Sequence, residues 1–372
     1  MPWPYLFLFI GLFLLVFIGG HVFLYYSFLH FFRITAANAR IVLAACILFL
    51  AAGFFLASFL SHWKDTAFGR GFYFAAGLWL GVAVGLLTAF VAVWFIHWLG
   101  KIFGLNINLA LLGALAVAGA LIASAYGVWN AYNLKAREID IKISNLPAAW
   151  EGKKAVQISD VHLGHVFGKS YLQKIVDLAN AANPDVVFIT GDLFDGMDGN
   201  LSSLVEPLKD LHAPWGTYFI TGNHETYLGR ENVLNVLKQM PVIILSDKMT
   251  DVQGVQIIGL DYPDRSGDKN VGAAIKGLPG FDPAKPSILL WHSPTQVKAV
   301  EAAGISLQLS GHTHNGQIFP INFITRLIYG KYSSGLNQEG NFSVYTSVGA
   351  GAWGPTIRNT GSPEIAVIKF GK

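Results

Sequence analysis

Charge is nearly missing from the first third of this chain. Up to Ala131 the charged side chains are Arg33, Arg40, Lys64, Asp65, Arg70 and Lys101. Over all 372 residues only 13% are charged, against about 25% in an ordinary soluble domain. Cysteine is scarce too. The one thiol, Cys46, lies inside an apolar run, which excludes disulfides and thiolate metal sites and leaves the redox compartment open. A net charge of +3, dispersed along the chain, offers no basic stripe to a phosphate backbone, so nucleic acid is not an expected partner. Repeats and low-complexity tracts are missing as well.

Long apolar runs fill the uncharged third. A spanning helix needs about 20 mostly apolar residues, and residues 5–26, 41–60, 71–95 and 107–128 qualify. Short polar breaks separate them, and Trp63, Trp94, Trp98, Trp129, Tyr25 and Tyr26 sit near their ends, as interfacial aromatics do. Three further spans follow the first run, which is expected to be a span and not a cleaved leader. Gly77, Gly81 and Gly85 repeat every four residues, as do Gly119, Ala123 and Gly127, a spacing that lets helices approach closely. The expectation is a four-helix membrane bundle over 1–132. His21 and His30 fall toward the end of the first run and are expected at the interface. Lys64, Arg70, Lys135 and Arg137 on one side, against Arg33, Arg40 and Lys101 on the other, favour a cytoplasmic position for the remainder of the chain.

From 138 to 372 the composition is that of a soluble domain. Short apolar runs at 139–143, 155–159, 186–190, 217–221, 242–245, 255–260, 287–291, 306–309, 342–347 and 365–370 read as strands. Helical patterns occupy 171–182, 201–211, 231–239 and 295–303. This alternation predicts an α/β layered fold, two sheets between helices.

Polar groups follow five of those strands: Asp160 and His162 in DVH, Asp192 in GD, Asn223 in GNHE, His292 in WHS, and His312 and His314 in GHTH. Ligand sites in open α/β sheets gather past the carboxyl ends of strands. Oxygen and nitrogen donors without sulfur suit divalent Mn, Fe, Zn or Ni, with Mn placed first, and the set is large enough for two ions. Asp192 is the natural bridge, because one carboxylate can offer an oxygen to each cation. Asp160, His162 and His314 would complete one ion's set; Asn223, His292 and His312 would complete the other's. His224 is left over, placed to protonate a leaving oxygen or steady phosphoryl charge. Such a pair of cations activates water for attack on a phosphate ester.

In that order and spacing the motifs resemble the calcineurin-like metallophosphoesterase family, with every ligand position of its DxH, GD, GNH[DE], H and GHxH pattern filled. The resemblance implies a four-layer αββα sandwich, a dinuclear centre on the residues named, and His224 as acid or transition-state partner. The GHTHNGQ string and the ending around Gly351, Arg358 and Pro363 to Ile365 look like a membrane-associated bacterial branch. That branch includes proteins similar to an exported cell-wall phosphoesterase and to enzymes hydrolysing the pyrophosphate of UDP-2,3-diacylglucosamine. The expectation is a multi-pass protein of a bacterial inner membrane that hydrolyses phosphodiester or pyrophosphate bonds of a lipid-linked or membrane-proximal substrate. The alternatives are a phosphomonoesterase or protein phosphatase, and a sensor or transporter that only binds a phosphorylated ligand.

Several residues have two readings. Asp195 is kept beside the ligands, and Glu225 reads as a helix-start carboxylate. His165 belongs either to a substrate phosphate or to a surface loop. Arg358 could meet a phosphate through its fork geometry or form a surface salt bridge. The apolar stretch with Phe319, Ile321, Phe323, Ile324, Leu327, Ile328 and Tyr329 reads as a loop, either packed in the core or receiving an acyl chain.

Overall fold

The computed structural model describes residues 3–63, 66–195, 200–263 and 269–371; Lys64, counted above for orientation, lies outside them. The chain divides into two compact units. One comprises Met1–Trp129, Ile318–Pro320 and Gly354–Asn359; the other comprises Asn130–Gln317, Ile321–Trp353 and Thr360–Lys372.

In the first unit, helices α1 (Trp3–Phe31), α2 (Ala37–Trp63), α3 (Ala67–Ile102) and α4 (Leu109–Ala131) are long and apolar enough to cross a membrane. A helix satisfies its own backbone polar groups, the condition that hydrocarbon imposes. Thr66 starts α3 by accepting the Gly69 N–H at 3.0 Å, and Asn108 starts α4 by accepting that of Leu111 at 3.1 Å. The bundle core gathers Leu24, Phe31, Leu86, Phe90, Val93 and Ala120. His21 is buried among these helices, and its Nε2 accepts the Trp79 indole N–H at 3.2 Å.

The glycine spacing predicts close approach, but not every approach is by a helix. Gly85 lets α4 in at Ala120. Gly81 and Gly127 instead seat Ile357, from the Gly354–Asn359 segment of the same unit, and Arg358 N–H donates to the Gly127 carbonyl at 2.9 Å. Arg358 is buried there, so its surface-salt-bridge reading is withdrawn.

The second unit holds, among the described residues, two six-stranded sheets. Its strands are β1 (Lys135–Lys142), β2 (Lys154–Ile158), β3 (Val186–Ile189), β4 (Thr217–Phe219), β5 (Ile243–Ile244), β6 (Lys248–Val252), β7 (Val255–Gly259), β8 (Ser287–Leu290), β9 (Leu307–Ser310), β10 (Gly335–Glu339), β11 (Phe342–Thr346) and β12 (Glu364–Gly371). One sheet has the order β1-β12-β2-β3-β4-β5 and the other β10-β11-β9-β8-β7-β6. The inner strands β2, β3 and β4 run parallel, as do β7, β8 and β9, so their carboxyl ends line one edge of each sheet. Helices α5 (Lys169–Ala181), α6 (Leu201–Leu204), α7 (Asn223–Leu228), α8 (Arg230–Leu237), α9 (Val271–Lys276), α10 (Val297–Glu301) and α11 (Ile321–Tyr329) complete the unit.

Side-chain alternation makes the layers. From the first sheet, Val156, Ile158, Val187 and Ile189 pack on Leu172, Ile175 and Val176 of α5 and Val233 and Leu237 of α8. The opposite face, with Ala155, Val186 and Phe188, meets Ile257, Ile288 and Leu290 of the second sheet. That sheet's outer face, with Ile258, Leu289 and Val344, covers Val271 and Ile275 of α9 and Val297 and Val300 of α10. The result is the expected αββα sandwich.

Candidate metal centre

Each candidate ligand sits just past a strand. Asp160 and His162 follow β2, Asp192 follows β3, Asn223 opens α7 after β4, His292 follows β8, and His312 and His314 follow β9. The turns are sharp: Asp160 (φ 52°), His162 (φ 53°), Asp192 (φ 51°), His312 (φ 72°) and His314 (φ 48°) all hold left-handed backbone, which non-glycine residues adopt only against a steric cost. The motif glycines have a separate reason. A Cβ at Gly222 would collide with Asp192 Oδ1, and one at Gly311 with Asp160 Oδ2.

The structure brings six of the seven expected ligands, together with His224, into three clusters; Asn223 sits beside His224 at the start of α7, and His165 joins none of the clusters among the described residues. Three trios have donor atoms within 4.8 Å of one another: Asp160–His162–His314, Asp192–His292–His312 and His162–Asp192–His224. His162 Nε2 and His314 Nε2 are 3.0 Å apart, and His314 Nε2 lies 3.5 Å from Asp160 Oδ1. His292 Nε2 lies 3.1 Å from Asp192 Oδ2, and His162 Nε2 is 4.0 Å from that same oxygen.

These separations fit a pair of cations. Metal–donor bonds of about 2.0–2.2 Å place neighbouring donors of one shell about 3.0–3.5 Å apart. Two further atoms point the same way: Asn223 Oδ1 and His312 Nδ1 are buried without a hydrogen-bond partner among the described residues. An orphaned buried acceptor costs about 1–3 kcal/mol, and a metal ion would satisfy both. His292 has its other nitrogen occupied, Nδ1 lying 2.8 Å from the Thr190 carbonyl, an outer partner that fixes the ring and aims Nε2 inward.

Electrostatics agree. Burial raises the Asp160 carboxyl above the usual range. Burial would raise Asp192 too, but the adjoining His292, with His224 and His162, holds it well below that range. Burial would lower His292, yet Asp192 and then Asp160 push it up to about 10. Burial and His292 push His312 down to about 3.

Around the ligands stand residues whose roles the sequence left open. Glu225 is fully buried and its carboxylate accepts the N–H groups of Gly222 (2.7 Å), Asp192 (2.9 Å) and Phe194 (3.2 Å). It joins the GD and GN turns and is no mere helix-start residue. Asp195 Oδ1 lies 3.4 Å from His162 Nδ1, and the Asp195 carbonyl is 2.9 Å from His224 Nδ1. Aromatic rings form a wall that the motif reading missed: Tyr227 and Trp353 flank His224 at 5.3 and 6.0 Å between centroids, and Tyr262 and Tyr329 flank His312 at 6.0 and 6.1 Å. Tyr262 stands just past β7, a sixth strand end that could have signalled it. Burial, then Tyr227 and Tyr329, push its hydroxyl up to about 12, leaving a neutral donor at neutral pH.

Comparison with known proteins gives the same picture. Residues 153–316, which include every candidate ligand, match the family model described as calcineurin-like phosphoesterase. An uncharacterized metallophosphoesterase of Helicobacter pylori is 36% identical over 220 residues, 58% of this chain and 59% of that one. A Danio rerio protein described as a transmembrane protein with metallophosphoesterase domain is 33% identical over 273 residues, 68% of this chain and 61% of that one. The chain thus spans less than two thirds of both. An uncharacterized metallophosphoesterase of Aquifex aeolicus is 30% identical over 255 residues, 67% of this chain and 96% of that one. The chain belongs to the calcineurin-like phosphoesterase family.

Proposed function

We propose that the chain is a membrane-embedded phosphohydrolase that uses two divalent metal ions to cleave phosphodiester or pyrophosphate bonds of a lipid-linked or membrane-proximal substrate. In this reading residues 1–132 anchor and residues 138–372 do the chemistry, on the cytoplasmic side of a bacterial inner membrane. The observation that carries it is the Asp192 carboxylate, which takes part in two separate trios of donors.

Asp160, His162, Asp192 and His314 would hold one ion; Asp192, Asn223, His292 and His312 would hold the other. When bound, such ions supply Lewis acidity: they offset phosphoryl charge and make a water acidic enough to deprotonate near neutral pH. Manganese is the first ion to test, because the donors are oxygen and nitrogen throughout. His224 has Nδ1 committed to the Asp195 carbonyl, so Nε2 is the atom that would carry a proton toward the leaving oxygen. Tyr262, neutral beside His312, can donate its hydroxyl to a phosphoryl oxygen. The lipid-linked part of the reading is supported by four apolar helices in the same chain.

The test uses the full chain, purified in detergent, stripped by chelator and titrated with Mn²⁺. Bis-p-nitrophenyl phosphate and a pyrophosphate diester should be hydrolysed only when the ion is returned, and faster than p-nitrophenyl phosphate. Equal turnover with and without metal, or none with any divalent ion, would remove the reading. A preference for the monoester would replace it with a phosphomonoesterase.

A further inference from the structure

Helix α11 is built inside out. Ile321, Ile324 and Ile328 recur at the spacing of one helical face, with Leu327 adjoining, while Asn322, Thr325 and Tyr329 recur on the other. A surface helix ordinarily turns its apolar stripe to the core. Here Thr325 is the buried residue, and Ile324, Leu327 and Ile328 are 58%, 86% and 67% exposed. The core-packing reading of this stretch therefore does not hold, and the stretch is a helix where a loop is expected. A contiguous exposed apolar face of this kind marks an interaction surface.

The inward side of α11 is attached to the metal centre. Its Asn322 backbone packs so closely on Gly316 that no side chain would fit there, and Gly316 ends the short turn that His314 begins. At the other end, Tyr329 reaches the ring of His312. The helix is thus mounted on the loop that supplies two candidate ligands.

We propose that α11 is an in-plane membrane helix: its Ile321, Ile324, Leu327 and Ile328 face enters the interfacial layer of a lipid bilayer and presents the His312–Tyr329 side of the metal centre to substrate at the lipid surface. The occupant is lipid for three reasons. The residue before α11, Pro320, clusters with the unit that holds the four membrane-length helices. Only three residues separate α4 from β1, a tether of roughly 10–14 Å between a span and the sandwich. Arg326 stands exposed beside the apolar face, a placement that favours anionic lipid headgroups. This inference deepens the proposed function by naming where the substrate is met, and it rests on that reading for catalysis but not for insertion.

The experiment separates the two. In the full chain with Cys46→Ala, single variants Ile324→Cys, Leu327→Cys and, as reference, Gln338→Cys carry an environment-sensitive fluorophore. Each is reconstituted into phosphatidylcholine–phosphatidylglycerol vesicles. Positions 324 and 327 should be blue-shifted, quenched by lipids with a shallow doxyl group, and shielded several-fold from aqueous iodide relative to 338. Iodide access equal to position 338 would overturn the proposal. So would shielding from both quenchers, which would mean a protein surface such as a second copy covers the face. In the second arm, Leu327→Glu should lower hydrolysis of a vesicle-borne phosphodiester at least tenfold and leave that of soluble bis-p-nitrophenyl phosphate within twofold. Equal losses on both substrates would overturn it. Lipid quenching in a protein that hydrolyses nothing would keep the insertion and remove the enzymatic reading.

Discussion

His292 points Nε2 at the Asp192 carboxylate from 3.1 Å while its Nδ1 rests on the Thr190 carbonyl at 2.8 Å. The pair therefore joins the two sheets at one point, since Asp192 follows β3 and His292 follows β8.

Asp192→Asn keeps the shape and removes the charge that both trios share. Metal content measured by plasma mass spectrometry should fall from two ions to fewer than one per chain. Phosphodiester hydrolysis should fall on the order of 10³-fold, the equivalent of several kcal/mol of lost charge stabilisation. Retention of two ions would show that Asp192 is not the bridge.

Asp195→Ala removes the carboxylate 3.4 Å from His162 Nδ1 without replacing any expected ligand. An outer partner of a ligating histidine is worth about 10–100-fold in metal affinity. Titration with Mn²⁺ should show one of the two sites weakened by that factor and the other unchanged.

Glu225→Gln replaces an acceptor of three backbone N–H groups with an amide that turns two donors toward them. Lost charge-assisted bonds of this kind cost about 2–3 kcal/mol, so the melting midpoint should drop by roughly 5–10 °C. A midpoint unchanged within 2 °C would assign the carboxylate no structural role.

Gly81→Leu tests the apolar unit. Its Cβ would collide with Ile357, and overpacking costs about 1–3 kcal/mol; Gly119→Leu, with nothing within 4 Å of its Cβ, should be neutral. Thermal melting in detergent distinguishes the two.

The inner strands and their motifs could be read directly because each is a short apolar run ending in a turn with a polar residue. β6 (Lys248–Val252) and β10 (Gly335–Glu339) escaped because they are edge strands, half solvated, whose sequences KMTDV and GLNQE carry no apolar run. α11 escaped for another reason: its apolar period is helical, but the polar face that should lie outward lies inward, and local sequence does not encode which side finds the core. The glycine stripe told that something packs against Gly81 and Gly127, and only the fold shows that Ile357, more than 200 positions along, is what arrives. Glu225 shows the same limit, since a carboxylate three residues past Gly222 looks alike whether it caps one turn or ties two.

Five of the candidate ligands hold left-handed backbone, a conformation that costs about 1–2 kcal/mol per L-residue. In linkage terms, an ion that binds only this folded arrangement shifts the folding equilibrium in proportion to its occupancy, by about 2.7 kcal/mol per ion at a hundred times its dissociation constant. Amide exchange past β2, β3 and β9 would then slow in step with metal loading. On the proposed reading, the protein's heat resistance would become a gauge of divalent-ion supply, and a metal-starved cell would hold a looser protein.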